Sequence, residues 1–258
     1  MKLTRFMDEA YHGAARSKKL ETRRGRMIFS LEDLADLVGD KPTRAEMEAL
    51  VPSDDALLSK LISTEPSGRH QLLWGYLSSI VAERSAGPLK LASCNYAGLE
   101  LRRGTIILQA AKDHVGERMS GGRIFIRGPA GDHLGQEMSG GGIVTQSCED
   151  YAFRNMLGGF GVVLGSAGNF AGLGNHGGRI VVRGDCGARA GWLMHGGSLR
   201  IGGDAGEYLG ILMSGGKIMV RGRTGKRAGW RRKGGIIQAG SFGPETEDGV
   251  MELAQRLA

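Results

Sequence analysis

Gly206-Glu-Tyr-Leu-Gly-Ile-Leu-Met-Ser-Gly-Gly-Lys-Ile-Met-Val-Arg-Gly222 sets out the pattern on which most of the chain is built. It joins a glycine-bounded turn, a Met two residues before a glycine pair, and a short β-branched run. The same arrangement recurs upstream, as in Gly116-Glu-Arg-Met-Ser-Gly-Gly122 followed by Arg123-Ile-Phe-Ile-Arg-Gly128. With the second glycine of each pair in register, the anchors are Gly104, Gly122, Gly141, Gly159, Gly178, Gly197, Gly216 and Gly235, spaced 18 or 19 residues apart. A fixed period near 20 residues marks a solenoid, in which each repeat buries its apolar face only against its neighbours.

Columns emerge once the repeats are aligned. Two and four residues after the anchors stand Ile106, Ile124, Ile143, Gly161, Ile180, Leu199, Ile218, Ile237 and Leu108, Ile126, Thr145, Val163, Val182, Ile201, Val220, Ala239. Alternate residues of a strand share a face, so these two columns are expected to point inward. Each rung then buries about two large side chains at roughly 1.5–3 kcal/mol apiece. Met119, Met138, Met156, Met194 and Met213, three before their anchors, read as core filler at the next corner. Eight rungs at about 4.8 Å make a stack roughly 35–40 Å long. The column between the inward ones (Ile107, Phe125, Val144, Val162, Val181, Met219) should face outward, yet only Arg200 and Gln238 in it are polar. An apolar outer face implies a cover: the N-terminal helices, another subunit, or both. Phe125, Val162 and Val181 are therefore candidate partner contacts.

Upstream of the repeats, residues 1–88 read as a basic arm followed by a small helical subdomain. Ser30 caps a helix at 31–38, Thr43 and Glu46 form a capping box, Ser53 caps a third helix, and a fourth runs from about 69 to 84 before Gly87-Pro88. The solenoid takes residues 89–241. In 242–258 an acidic run leads into an expected capping helix at about 250–257, covering what would otherwise be a free β edge.

Composition narrows the function classes. The 45 glycines are periodic and embedded in apolar runs, which fits repeated tight turns and not a disordered linker. No apolar run is long enough to span a membrane and the charged first residues do not read as a secretory signal, so a soluble, cytoplasmic chain is expected. Cys94, Cys148 and Cys186 are odd in number and widely spread, which suits reduced thiols and not a zinc or iron–sulfur site. The formal charge of +7 is uneven: residues 221–233 hold seven basic side chains and no acid. Without interleaved stacking aromatics or a helix-turn-helix signature, nucleic acid is disfavoured as the partner.

The candidate chemistry is thin. Gly172-Leu-Gly-Asn-His-Gly177 matches a dinucleotide motif, but a strand follows where that motif needs a helix N-terminus. Asp113-His114 and Asp132-His133 occupy one turn in successive rungs, continued by Asp150-Tyr151, Asn169-Phe170 and Glu207-Tyr208. Stacked carboxylates beside imidazoles could hold a cation or do acid/base work. The plainer reading is that Asp or Asn caps a tight turn while its neighbour shields the rung below. His176 and His195 replace the Ser of other corners and read as surface. Trp192 and Trp230 share a column and are candidate interface anchors. With them goes the basic corner 226–233, including Arg231 and Arg232, where the usual Met-Ser is lost.

The repeat Gly-x-x-x-Gly-x-x-Met-x-Gly-Gly-x-Ile-x-Val-x-Gly, clear also in Gly131-Asp-His-Leu-Gly-Gln-Glu-Met-Ser-Gly-Gly141, resembles the GXGXG domain. That family includes the β-helical subunit of formylmethanofuran dehydrogenase, its relatives in the formyltransferase/hydrolase complex of methylotrophs, and the C-terminal domain of the large subunit of glutamate synthase. The resemblance implies an all-β solenoid, a right-handed parallel β-helix of about eight rungs. It further implies a scaffold with no catalytic, cofactor-binding or metal-binding residues of its own, held in an obligate hetero-oligomer. Partner subunits would carry molybdopterin or tungstopterin, metals or Fe–S clusters. In the alternative, glutamate-synthase-type assembly the chain would bridge glutaminase and synthase parts, with FMN and Fe–S as the cofactors.

Overall fold

The computed structural model describes residues 28, 30–64, 66–68 and 70–252. The expected basic arm at 1–26 lies outside them. Four helices come first: α1 (Leu31–Val38), α2 (Arg44–Leu50), α3 (Asp55–Ser63) and α4 (His70–Arg84). Strands β1 (Leu89–Leu91), β2 (Thr105–Leu108), β3 (Ser120–Ile126), β4 (Pro129–Ala130), β5 (Gly140–Thr145) and β6 (Ser147–Cys148) follow. After them come β7 (Phe160–Val163), β8 (Arg179–Val182), β9 (Ser198–Ile201), β10 (Lys217–Arg223), β11 (Ile236–Ser241) and β12 (Met251–Glu252). No helix among the described residues is long and apolar enough to cross a membrane.

The strands form a parallel β-helix of about eight turns. Ten of them make one parallel sheet in the order β1-β2-β3-β5-β7-β8-β9-β10-β11-β12. Ile106, Ile124, Ile143, Gly161, Ile180, Leu199, Ile218 and Ile237 pair rung to rung as the anchor register predicts. The isoleucine and leucine side chains of this column are buried, as are all five methionines of the corner column. A second wall, which the periodicity did not reveal, is a chain of short parallel contacts: Ala130 with Cys148, then Cys148, Ala167, Cys186, Ala205 and Thr224 in turn.

The glycine pair has two separate jobs. At Gly215 an added Cβ would strike the carbonyl oxygen of His195 on the rung below, so the rungs close to strand spacing only without a side chain. Gly216 turns the corner at φ +85°, which L-residues adopt at a cost of about 1 kcal/mol or more.

The helices close the N-terminal end of the solenoid. α1, α2 and α3 each pack on α4, and α4 packs on β1 and β2. Ser78 Oγ accepts from Gly98 N at 2.9 Å, and Ser79 Oγ donates to Leu99 O at 2.7 Å. These first-rung groups have no preceding rung to pair with, and two buried hydroxyls answer them. Gly75 lets the helix sit against Tyr96. Arg44, nearly buried, holds Glu83 at 2.6 Å and Glu48 at 2.9 Å, while Glu83 accepts from Arg102 N at 2.9 Å. The described helices therefore cap the end of the stack; they do not cover its outer sheet face, where Phe125 stays 40% exposed.

Two local expectations are corrected. Asp54, not Ser53, caps α3, accepting from Ala56 N at 2.8 Å and Leu57 N at 3.3 Å. The helix expected from about residue 250 is, at 251–252, strand β12, which pairs in parallel with Gln238 and Ala239 of β11. A strand satisfies the open row of β11 backbone groups and a helix cannot. Residues 253–258 lie outside the described part.

Candidate functional site

The turn that carries Asp113, His114, Asp132 and His133 is built as two parallel ladders. In the first, each Asx side chain accepts from the backbone N–H of its counterpart one rung on. Asn95 receives Asp113 N at 2.8 Å, Asp113 receives Asp132 N at 3.0 Å, and Asp132 receives Asp150 N at 2.8 Å. Asp150 then receives Asn169 N at 2.7 Å, and Asn169 receives Ala188 N at 2.8 Å. One side-chain oxygen per rung, from carboxylate or amide, is thus committed to the backbone.

In the second ladder, planar side chains stack on one another. Tyr96, His114, His133, Tyr151 and Phe170 lie 4.6–5.0 Å apart between ring centroids, tilted by 10° or less. Beyond Phe170, Arg189 stands between two rings, its guanidinium carbon 5.4 Å from the Phe170 centroid and 5.6 Å from that of Tyr208. Arg227 follows at 5.8 Å from Tyr208. All of these residues have φ near +60°, a left-handed turn repeated in every rung without glycine. Each stacked pair returns about 0.5–1.5 kcal/mol, of the order of the conformational cost.

This geometry commits much of both imidazoles to contacts within the turn. The faces of His114 and His133 are covered by neighbouring rings, and their Nδ1 atoms are held by Glu117 at 2.7 Å and Gln136 at 2.9 Å. Burial, then Glu117 and Asp113, push the Tyr96 phenol upward, which keeps it protonated. Among the described residues no group of three or more His, Cys, Asp or Glu is placed to hold a metal ion. His176 and His195 lie at the exposed corner, ring centroids 4.8 Å apart, with His195 Nδ1 2.8 Å from Ser214 Oγ.

The other candidates divide between two places. Phe125, Val162 and Val181 share the outer face of the ten-stranded sheet, with Phe160 beside them at 41% exposure. Trp192 and Trp230 belong instead to the stacked turn. Trp192 lies 5.8 Å from Phe170, with its Nε1 buried and unpaired. Trp230 sits edge-on to Tyr208, with Arg227 at 5.7 Å and Arg231 at 4.6 Å over its ring.

The basic corner around Trp230 is answered in part within the chain. Arg227 binds Glu245 at 2.6 Å, and Arg232 donates to the Gly235 and Asp248 carbonyls at 2.8 and 3.1 Å. Glu247 accepts weakly from Arg231 N at 3.4 Å. The acidic run after Pro244 folds back on the cations of the last rung.

The sheet gathers a second basic set, Arg179, Arg183, Arg200, Lys217 and Arg221, on its outer face, which the sequence shows only piecemeal, with Arg200 in the outward column and Arg221 in the basic stretch. The signal was present in the quoted strands, whose first and last residues flank the outward column. Comparison with protein-family models and with curated proteins gives no match.

Proposed function

We propose that this chain is a non-catalytic scaffold subunit of a multi-subunit cytoplasmic oxidoreductase of one-carbon metabolism, similar in role to the β-helical subunit of formylmethanofuran dehydrogenase. The observation that carries the reading is the uncovered outer sheet face. Ile107, Phe125, Val144, Val162, Val181 and Met219 stand on it in one column, and two phenylalanines of the face are about two-fifths exposed. An apolar column of this length, broken only by Arg200 before Met219, suits a permanent contact between subunits. The commitment of the Asp and His turns to ladder bonds supports a structural role for the polar residues. On this reading the redox groups (molybdopterin or tungstopterin, metals or Fe–S clusters) belong to partner subunits.

Co-purification of the tagged full chain from its native host, with identification of the bound subunits, tests the proposal. A pterin-binding subunit and an amidohydrolase-like subunit are the expected companions. Glutaminase and FMN-binding subunits would move the chain to the glutamate-synthase-type assembly. A bare monomer, or turnover by the lone chain that is lost in His114→Ala or His133→Ala, would overturn the scaffold reading.

A further inference from the structure

We propose that the outer sheet face over β8, β9 and β10 docks an acidic segment of a partner polypeptide, with apolar side chains between its carboxylates. The inference rests on the scaffold reading and adds to it the place and chemistry of the contact. Arg179 and Lys217 stand along one edge of this face, Arg183 and Arg221 along the other, and Arg200 in the central column between Val181 and Met219. The four arginines are exposed and Lys217 is partly so. Strands β2 to β11 contain no Asp or Glu.

Some cations of the chain are ion-paired: Arg44, Arg118, Lys226 and Arg227 all have carboxylate partners. Among the described residues these five, like Arg103, Arg123 and Arg127, have none, and what sets them apart is their gathering on one face. Shallow depressions flank Arg200, one reaching Arg183 and Arg221 and the other Arg179 and Lys217, both floored by Val181 and Met219. An aliphatic or aromatic side chain fits over that floor while carboxylates on either side meet the two basic edges.

Charge selects the occupant. Residues 1–30 of this chain hold eight Lys or Arg against three acids, the wrong sign for this face. A second copy docked face to face would set the same arginines against each other. A nucleic acid strand would supply anions, but the one exposed ring beside these cations is Phe160 of β7, next to Arg179, and no outward residue of β8, β9 or β10 is aromatic, so a row of stacking rings is missing. An acidic protein segment uses both the cations and the apolar floor.

The test uses the full chain with a photo-crosslinking residue in place of Met219, expressed in the native host and purified with its companions. The crosslink is expected on a partner segment bearing several Asp or Glu around an apolar residue. Arg183→Glu/Arg200→Glu should weaken partner binding by at least about tenfold and Arg200→Lys should largely preserve it. Raising salt from about 0.05 M to about 0.5 M should weaken the parent complex and leave the double variant little changed. Arg200→Glu alone, with thermal unfolding matched to the parent, guards against loss of fold. A complex that survives both charge reversals, or that crosslinks only through other surfaces, overturns this docking site and leaves the scaffold reading standing. Crosslinks to nucleic acid or to a second copy overturn it as well. A bare monomer in the native host fails both proposals at the earlier step.

Discussion

One exchange of residues shows how closely the rungs are fitted. Seven of the eight rungs carry glycine six residues before the anchor and an isoleucine or leucine two after it. The rung anchored at Gly159 has Phe153 and Gly161 instead. Phe153 takes the left-handed turn at φ +57°, fully buried, and its ring fills the space that a Cβ on Gly161 would enter. The inward column shows Gly161 as a gap, but its filler, eight residues earlier in a different column, is not visible from periodicity. Phe153→Gly alone should cost about 3–5 kcal/mol by leaving a cavity. Gly161→Ile alone should destabilise through overpacking by at least about 1–3 kcal/mol. The double variant restores the pairing of the other rungs and should recover most of both losses, a coupling that denaturant unfolding measures. Additive losses would show that the two positions do not share one space.

All three thiols are buried. Cys94 and Cys148 are pushed from 9.0 to about 12 by burial, and Cys186 is pushed upward too, again chiefly by burial. The unfolded chain therefore loses these protons first. The stability they lend is fully present below pH 9 and is lost as pH rises from about 9 to 12. Cys148→Ala, a residue the same column already uses at Ala167, should flatten that alkaline decline in denaturant midpoints against pH. An unchanged slope would assign the decline to other groups.

At the scale of the element, the repeated turn works through its Asx ladder. Asp132→Ala would leave Asp150 N–H without its acceptor and should cost about 1–2 kcal/mol. Asp132→Asn should be close to neutral, since Asn95 and Asn169 already do the same work in their rungs. Equal losses in the two variants, read from denaturant midpoints, would mean that the carboxylate charge matters and not the hydrogen bond. Sequence reading reached the cap-and-shield character of this turn, because Asp and Asn followed by a ring recur at the rung period. It did not reach Arg189 and Arg227 as members of the ring column. A guanidinium stacks as a flat plate but carries no hydrophobic signal, so alignment by apolarity passes over it. The five cations of the outer face were legible only piecemeal for a related reason: Arg179 and Arg183 look like ordinary strand flanks until Arg200 and Arg221 are laid beside them.

Across the whole molecule the open question for any solenoid is what closes its ends. The inward columns were legible because strand alternation and the 18–19-residue period reinforce each other. The ends have no such period. α4 is buried on nearly every side, between three helices and the first rung, so no single stripe announces which face meets the solenoid. At the other end an apolar, helix-like spacing in 250–257 is overridden, at least at 251–252, by the unpaired edge of β11. That end should depend jointly on strand pairing and charge. Truncation after Gly243 removes β12 and also the acidic residues that hold Arg227, Arg231 and Arg232. The shortened chain would present an unpaired strand edge beside a basic corner, and edges of this kind pair with other chains. Concentration-dependent self-association is expected, followed by sedimentation, and it should grow with salt as repulsion between the freed basic corners is screened. Glu245→Gln with Glu247→Gln in the full chain keeps β12 and should stay monomeric under conditions where the truncation associates. If the double glutamine variant associates as strongly, the charge contacts and not the strand close this end.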